Sequence, residues 1–366
     1  MKKVVVIAEC EFGNHIYYHL LHLLPALSRN KDITVEVMVP NDSPLIPALN
    51  AYKIKTHAIE NFSTEALSRA DIKAMRAKLK DIKPDIVHTH SDFPGRISTQ
   101  FGRYKAVHTL HSVIPISKWR KRFPFKQLFK PSTHTLANRV IAVNQAVKNS
   151  LIDLGVSDKM VRLIYNGVAP AKQLYTPEII KLRVRYNIPT DYFVVTYIAK
   201  LQEENNQDFV LNTARELPYN VMTLLVGDGY ADEEYEKHLR TRIQAENLQN
   251  ARILPPGNLD EILAITDVQV SPVTWQRIPS HVLSGMSIGK PPIVTKHFDS
   301  HVIQDEITGL TFEANSVEWL DDAITRIKDD RGMYKRLSQA AQGRYAKNFT
   351  AEIMARETTK VYEELM

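Results

Sequence analysis

Residues 267–295 constrain the fold more than any other part of the chain. They contain a β-rich run (Val268–Ser271), a loop, an apolar helical pattern over residues 281–288 and a second β-rich run (Pro292–Thr295). Two strands joined through a helix lie parallel, so the loop leaves the carboxyl end of the first strand. Open α/β sheets bind their ligands at that end. This stretch therefore predicts a parallel sheet with a ligand-binding loop.

The same alternation of β-rich runs and helical patterns extends along the whole chain. The predicted strands are residues 3–8, 34–38, 86–90, 105–110 and 140–143 in the first half, and 193–198, 221–226, 251–254, 268–271 and 292–295 in the second. A turn-rich stretch at residues 166–170 separates the two halves. Such alternation favours parallel sheets covered by helices. We therefore predict an α/β fold with two doubly wound domains.

Composition narrows the class of protein and the compartment. The 366 residues are 44% hydrophobic and 24% charged, as in ordinary globular proteins. No apolar run approaches the roughly 20 residues of a membrane-spanning helix. The segment MKKVVVIAEC is typical of a first strand rather than of a secretory signal, and Cys10 is the single cysteine. A cytoplasmic location is expected.

Charge is distributed unevenly between the two halves. Residues 1–170 contain 25 Lys and Arg against 13 Asp and Glu, whereas the remainder contains 22 against 28. This asymmetry predicts an anionic partner for the first half, although chance drift of surface charge remains open.

Part of the basic excess lies in residues 118–130. This segment interleaves large aromatic rings with basic side chains, and its proposed acceptor- or membrane-binding residues are Lys118, Trp119, Arg120, Lys121, Arg122, Lys126 and Lys130. Cations that meet anionic head groups and rings that enter the interface favour a membrane surface, at the inner face of the membrane for a cytoplasmic protein. An ordinary exposed loop is the alternative. Nucleic acid is not the expected partner, because no nucleic-acid-binding fold signature accompanies the segment.

Several short motifs follow one another in a characteristic order. They are residues 85–90, which end in a histidine pair; residues 107–111, which end in a histidine; residues 163–168, which contain Asn166-Gly167; residues 225–229, which contain Gly-Asp-Gly; and residues 307–310. Together they resemble the retaining glycosyltransferases of family four (group 1), which have the GT-B fold. The resemblance covers nearly the whole chain.

The resemblance implies the architecture and the reaction. It implies two Rossmann-like domains that face a central cleft: an acceptor domain at residues 1–170, a nucleotide-sugar domain at residues 171–345, and a final helix at residues 346–366 that returns to the first domain. It also implies transfer of a sugar, with retention, from a nucleotide-diphosphate donor to a glycan or lipid-linked acceptor. A role in polysaccharide biosynthesis is expected.

The family's donor site maps onto specific positions of this chain. Lys200 stands where the family has an arginine, Asn205 where it has a lysine, and Ser284 where a glutamate holds the ribose. The donor-binding residues expected from the resemblance are Gly13, Lys200, Asn205, Gly227, Ser280, His281, Val282 and Ser284. The backbone at residues 280–282 is expected to present a helix amino terminus to phosphate.

Two residues are expected to contact the transferred sugar. His111 matches the family's cleft histidine, and Gln276 replaces the family's first glutamate. An amide still donates and accepts hydrogen bonds, so Gln276 changes the recognition chemistry without abolishing it. Loss of both family glutamates also supports an alternative, a catalytically inactive homologue that binds a glycan, a membrane or a partner protein.

No metal and no cofactor are expected. His15, His19 and His22 recur at helical spacing, but no Cys, Asp or Glu accompanies them on that helix. The chain also contains no Asp-x-Asp motif, so a metal-bridged diphosphate is not indicated.

Overall fold

The chain forms two compact units, each built on one parallel sheet. The computed structural model describes residues 2–9, 14–60, 69–90, 93–100, 102–113, 137–227, 232–273, 279–297 and 299–366. The first unit comprises Met1–Val168 and Phe349–Met366, and the second comprises Ala169–Asn348. The predicted α/β class with two parallel sheets is confirmed.

The first unit is built on a seven-stranded sheet. Its strands are β1 (Lys2–Ala8), β2 (Ile33–Pro40), β3 (Lys55–Ile59), β4 (Ile86–His90), β5 (Lys105–Leu110), β6 (Arg139–Ala142) and β7 (Val161–Leu163), in the spatial order β3-β2-β1-β4-β5-β6-β7. Its helices are α1 (His15–Ser28), α2 (Leu45–Asn50), α3 (Arg69–Ile82), α4 (Phe93–Ser98) and α5 (Gln145–Asp153). Strands β3 and β7 were not predicted from the sequence. Both are edge strands, and three of the five β3 residues are polar.

Helix α1 covers one face of this sheet. The side chain of Asn14 caps its first turn by accepting a 2.8 Å hydrogen bond from the backbone N–H of Tyr17. The apolar stripe that includes Leu20, Leu24 and Leu27 is fully buried, as its helical spacing predicts. This packing sets the inward face of α1, on which His19 also lies.

The last helix, α13 (Ala351–Glu363), belongs to the first unit and packs against α1. Tyr362 is fully buried there. Glycine is required at position 167, because a β-carbon there would lie 2.2 Å from the carbonyl oxygen of Thr350. That close approach lets Val168 pair with Thr350 just before the helix begins.

The second unit is built on a six-stranded sheet. Its strands are β8 (Phe193–Ala199), β9 (Val221–Gly227), β10 (Ala251–Leu254), β11 (Val268–Ser271), β12 (Pro292–Thr295) and β13 (Leu310–Phe312), in the spatial order β10-β9-β8-β11-β12-β13. Its helices are α6 (Thr176–Arg185), α7 (Gln207–Glu216), α8 (Glu233–Ala245), α9 (Leu259–Ile265), α10 (Ser280–Ser287), α11 (Val317–Asp329) and α12 (Arg331–Asn348). Strand β13, of three residues, was not predicted.

Each sheet contains one point where the strand order reverses. In the first unit the reversal lies between β1 and β4, and in the second between β8 and β11. The segments that follow these strands leave in opposite directions and open a crevice at the carboxyl edge.

No helix in the described part of the chain is both long and apolar enough to cross a lipid bilayer.

Candidate functional site

Lys200 lies at the reversal point of the second sheet. It follows β8 directly, and β8 neighbours β11, from which the chain continues toward α10. Its ammonium group forms no ion pair with any carboxylate of the described residues. A partly buried cation at this edge is suited to a phosphate, although an ammonium binds as a point charge and not bidentately.

The backbone at Lys200 is fixed by two side-chain amides. Asn205 and Gln207 donate hydrogen bonds of 2.8 and 2.7 Å to the carbonyl oxygen of Lys200. The hydroxyl of Tyr197 in turn donates a 2.6 Å hydrogen bond to the carbonyl of Asn205. Asn206 has a φ of 57°, a left-handed conformation that asparagine tolerates. The turn after β8 is therefore held in one conformation.

This geometry changes the interpretation of Asn205. Its side chain is only 4% exposed and its amide nitrogen is bound to the Lys200 carbonyl. A buried group engaged in this way holds the backbone of Lys200 in place, which is a structural role. Gln207 makes the parallel contact and was not predicted from the sequence. Its position two residues after Asn205 was the available signal.

The amino end of α10 also lies at this edge. Pro279 precedes the helix without a side-chain cap, so the first N–H groups, those of Ser280 and His281, precede the first intrahelical bond. Val282 does not extend this anion site, because its N–H donates a 3.1 Å hydrogen bond to the carbonyl of Pro279 and its side chain is fully buried. At the described end of this helix, the N–H groups left for an anion are thus those of residues 280 and 281.

His281 and Ser284 are both buried in α10. Burial lowers the pKa of His281 to about 3, so its imidazole is neutral at pH 7. Ser284 is 3% exposed. Helix α10 packs closely on β11, since a β-carbon at Gly285 would lie 1.8 Å from the amide nitrogen of Gln269. Ser284 therefore offers a ligand little surface within the described residues.

Gly227 ends β9 directly beside this turn. It pairs with Ala199 in the sheet register, one residue before Lys200. A β-carbon at position 227 would lie 3.0 Å from Cδ of Pro256, so close packing within the unit alone accounts for a glycine. A donor contact at Gly227 remains a prediction.

A separate cavity of about 530 Å³ lies at the opposite, amino-terminal edge of the second sheet. Arg183 and Asp267 line it and form a 3.3 Å ion pair, and Arg183 also donates to the carbonyl of Tyr192. These contacts are internal to the unit and lie away from the reversal-point edge, so this cavity is not the donor-site candidate.

In the first unit, His111 lies among other histidines at the carboxyl edge. It follows β5 and is 1% exposed. Its Nε2 lies 3.1 Å from Nδ1 of His90, a hydrogen-bond distance, at the end of the neighbouring strand β4. The ring of His19 on α1 lies 4.6 Å from the His111 ring, centroid to centroid. One ring nitrogen from each of these three residues lies within 4.8 Å of the others.

His88 lies on the same strand face as His90, as the two-residue period of a strand predicts. Both ring nitrogens of His88 have partners, at 2.7 Å from the Tyr362 hydroxyl and 2.7 Å from the Thr109 hydroxyl. Burial lowers the pKa of His88 to about 3 and holds the pKa of His90 well below its usual value. His88 therefore ties β4 to β5 and α13.

Three groups of predicted residues lie outside the described part of the chain. They are Gly13, Gln276 and the basic segment with Lys118, Trp119, Arg120, Lys121, Arg122, Lys126 and Lys130. Their roles remain predictions from the sequence.

The two parallel sheets, each with one reversal point, define a class, a Rossmann-like α/β protein. Family models identify it further. Residues 18–172 match the model for glycosyltransferase family 4, and residues 178–344 match that for glycosyl transferases group 1. The chain belongs to this glycosyltransferase family.

Individual relatives and solved structures agree with this family assignment and with the fold. The chain is 28% identical, over 69% of its length and 68% of the relative's, to the Escherichia coli UDP-Gal:alpha-D-GlcNAc-diphosphoundecaprenol alpha-1,3-galactosyltransferase. A glycosyltransferase from Rickettsia africae superimposes with a TM-score of 0.87 at 18% identity, covering 100% of this chain and 98% of that one. Anabaena HepE, crystallised with UDP-glucose, superimposes with a TM-score of 0.83 at 17% identity, and the superposition covers 100% of both chains. The predicted GT-B fold and family are confirmed.

Proposed function

We propose that this glycosyltransferase uses a nucleoside-diphosphate sugar as donor and that the second unit binds it. The observation that carries the proposal is topological: Lys200 follows β8, α10 follows β11, and these two strands flank the reversal point of the second sheet. A diphosphate needs cations or backbone N–H groups, and this edge supplies both. Lys200 and the N–H groups of Ser280 and His281 are the proposed diphosphate contacts.

Uridine is the proposed base of the donor. The Escherichia coli relative is named for UDP-galactose, and the Anabaena structure contains UDP-glucose. Both names support a UDP-sugar for this chain as well. Direct comparison of UDP with GDP and ADP in a calorimetric titration tests the choice of base.

In the proposed reaction the protein acts mainly by positioning and charge stabilisation. An oxocarbenium-like transition state forms as the diphosphate leaves, and Lys200 with the helix terminus neutralises the leaving group. Gln276 and His111 are the proposed contacts to the transferred sugar. We propose retention at the anomeric carbon, and proton NMR of the product linkage tests it.

The proposed acceptor is a glycan or a lipid-linked saccharide, handled by the first unit. The Escherichia coli relative is named for a diphosphoundecaprenol-linked acceptor, which supports the lipid-linked form. The basic and aromatic segment at residues 118–130 would bring the enzyme to an anionic membrane. This follows from the sequence, where six basic residues alternate with four aromatic ones.

An inactive homologue is the alternative function, and specific observations favour it. Asn205 is buried and tied to the backbone, and Ser284, in place of a ribose-binding glutamate, is 3% exposed. Fewer polar groups are then available to hold a donor than in the family pattern. Such a protein would bind a glycan, a membrane or a true transferase.

Donor turnover by the unmodified protein decides between the two functions. A panel of sugar nucleotides is offered with soluble and with lipid-linked acceptors, and release of the nucleoside diphosphate is measured. Turnover of any donor supports the transferase. Absence of turnover, combined with no saturable nucleotide binding at millimolar concentration, supports the inactive homologue.

A further inference from the structure

Three buried histidines from separate elements meet at the carboxyl edge of the first sheet. His19 lies on α1, His90 ends β4 and His111 follows β5. Each offers one ring nitrogen, and these three atoms lie within 4.8 Å of one another. We propose that His19, His90 and His111 form a binding site for Zn²⁺ or a similar late first-row divalent cation. A metal was not expected from the sequence, because no Cys, Asp or Glu accompanies His19 on its own helix.

The tautomer of His19 is the one that metal coordination requires. Its Nδ1 lies 2.9 Å from Oδ1 of Asn166. An amide oxygen only accepts hydrogen bonds, so Nδ1 carries the proton and Nε2 presents its lone pair. Metal-bound histidines are typically oriented in this way, by a carbonyl or carboxylate that accepts the proton of the other nitrogen. In the proposed site, Asn166 therefore holds the imidazole of His19 in the orientation that binds the cation.

The lone pair of His19 has no hydrogen-bond partner among the described residues. Its Nε2 is fully buried without one, and so is Nε2 of His90, whose Nδ1 lies at hydrogen-bond distance from His111. A buried polar atom without a partner costs about 1–3 kcal/mol. Two such atoms in one cluster are unusual unless a further group binds there. A cation held by these nitrogens would offset that cost.

The protonation states also suit a metal. His19 and His90 are both buried, and burial favours the neutral imidazole over the charged one. Neutral imidazole binds zinc, copper, nickel and iron. Three histidines with one open position form a known zinc arrangement, in which a water takes the fourth place.

The geometry needs only a small inward adjustment. Zinc–nitrogen distances near 2.0–2.1 Å place tetrahedral ligands about 3.4 Å apart, against a present spacing of up to 4.8 Å. Small side-chain rotations would close this gap. Glu9 follows Ala8, which is in register with His90, so the topology also brings an acidic residue to the same edge.

The test is zinc binding by the full-length protein, purified without a histidine tag and stripped with a chelator. Competition against a chromophoric chelator should give one site per chain. His19→Gln and His90→Gln should each abolish that site. Asn166→Ala should weaken it by about 10- to 100-fold, the usual effect of losing a residue that orients a ligand. Co²⁺ in place of Zn²⁺ should give the visible absorption of a four-coordinate site.

His22→Gln is the matched control, because His22 lies on the same helix and outside the three-histidine cluster. Circular dichroism and thermal unfolding of each variant establish that it folds. If a variant fails to fold, the cobalt spectrum and stoichiometry of the unmodified protein decide. The absence of a single tight site, or a site that survives both His19→Gln and His90→Gln, overturns the proposal.

Discussion

The side-chain amide of Asn205 donates a 2.8 Å hydrogen bond to the carbonyl oxygen of Lys200. The contact spans five residues and closes the turn at the end of β8. It relates two positions that the family resemblance treats as separate phosphate contacts. In this chain one of them is the cation and the other holds the cation's backbone in place.

Lys200→Ala tests the proposed diphosphate contact. Loss of one charged hydrogen bond should weaken nucleoside-diphosphate binding by about 1.5–3 kcal/mol, or about 10- to 150-fold in Kd. Calorimetric titration with UDP measures it. Lys181→Ala removes an exposed lysine of the same unit and should leave the affinity unchanged. Equal UDP affinity in Lys200→Ala and the parent would contradict the assignment.

Asn205→Ala tests orientation against direct contact. Removal of its hydrogen bond should lower the free energy of unfolding by about 0.5–1.5 kcal/mol, because Gln207 still donates to the Lys200 carbonyl. Introduced into the parent protein, Asn205→Ala should weaken UDP binding. Introduced into the Lys200→Ala variant, it should cause no further loss of affinity. A full additional loss of affinity in the double variant would show that Asn205 contacts the ligand itself.

Gly167→Ala tests the junction before the last helix. The new β-carbon would lie 2.2 Å from a backbone oxygen, which must move. We expect the free energy of unfolding to fall by about 1–3 kcal/mol, as for other overpacked sites. Gly343→Ala is the control, since no atom outside its own helix lies within 4 Å of the added carbon, and it should raise stability by about 0.5–1 kcal/mol. Urea denaturation measures both free energies of unfolding, which should change in opposite directions.

His281 makes stability depend on pH. Its imidazole takes up a proton near pH 6.5 when unfolded, whereas burial lowers the pKa in the folded protein to about 3. Between these values unfolding takes up a proton, so the free energy of unfolding falls by up to about 1.4 kcal/mol for each pH unit lost. Stability is therefore highest above pH 6.5 with respect to this group.

His281→Gln should remove that part of the pH dependence. Urea unfolding at pH 7, 6 and 5 measures the slope, which should be shallower in the variant than in the parent. His301→Gln changes an exposed histidine of the same unit and is the control. Parallel slopes for parent and His281→Gln would show that the imidazole is not buried in its neutral form.

Liposome flotation tests the membrane proposal for residues 118–130. Binding should rise with the anionic lipid fraction and fall with salt. Lys121→Glu with Lys126→Glu should weaken it. Lys73→Glu with Lys80→Glu makes the same charge change on the exposed face of α3 and should have less effect. Equal binding to neutral and anionic vesicles would refute the idea.

Much of the fold could be predicted because hydrophobic patterning is local. The stretch at residues 267–295 gave β11 and β12 with their observed bounds, and predicted α10 to within one residue. Ten of the strands were predicted because their runs are apolar or rich in β-branched residues. Strands β3, β7 and β13 were missed because they are short or polar and pair only after the sheet exists.

The sequence by itself determined the α/β class, the family and the position of Lys200 at a strand end, because these follow from periodicity and from short motifs. Only the tertiary structure decided what the side chains do. The contact between His19 and Asn166 joins residues 147 apart in the chain, and the three-histidine cluster joins a helix to two strands. Such contacts depend on sheet register and helix packing, which no local pattern specifies. The same is true of Asn205, whose burial in the turn could not be read from its place in a motif.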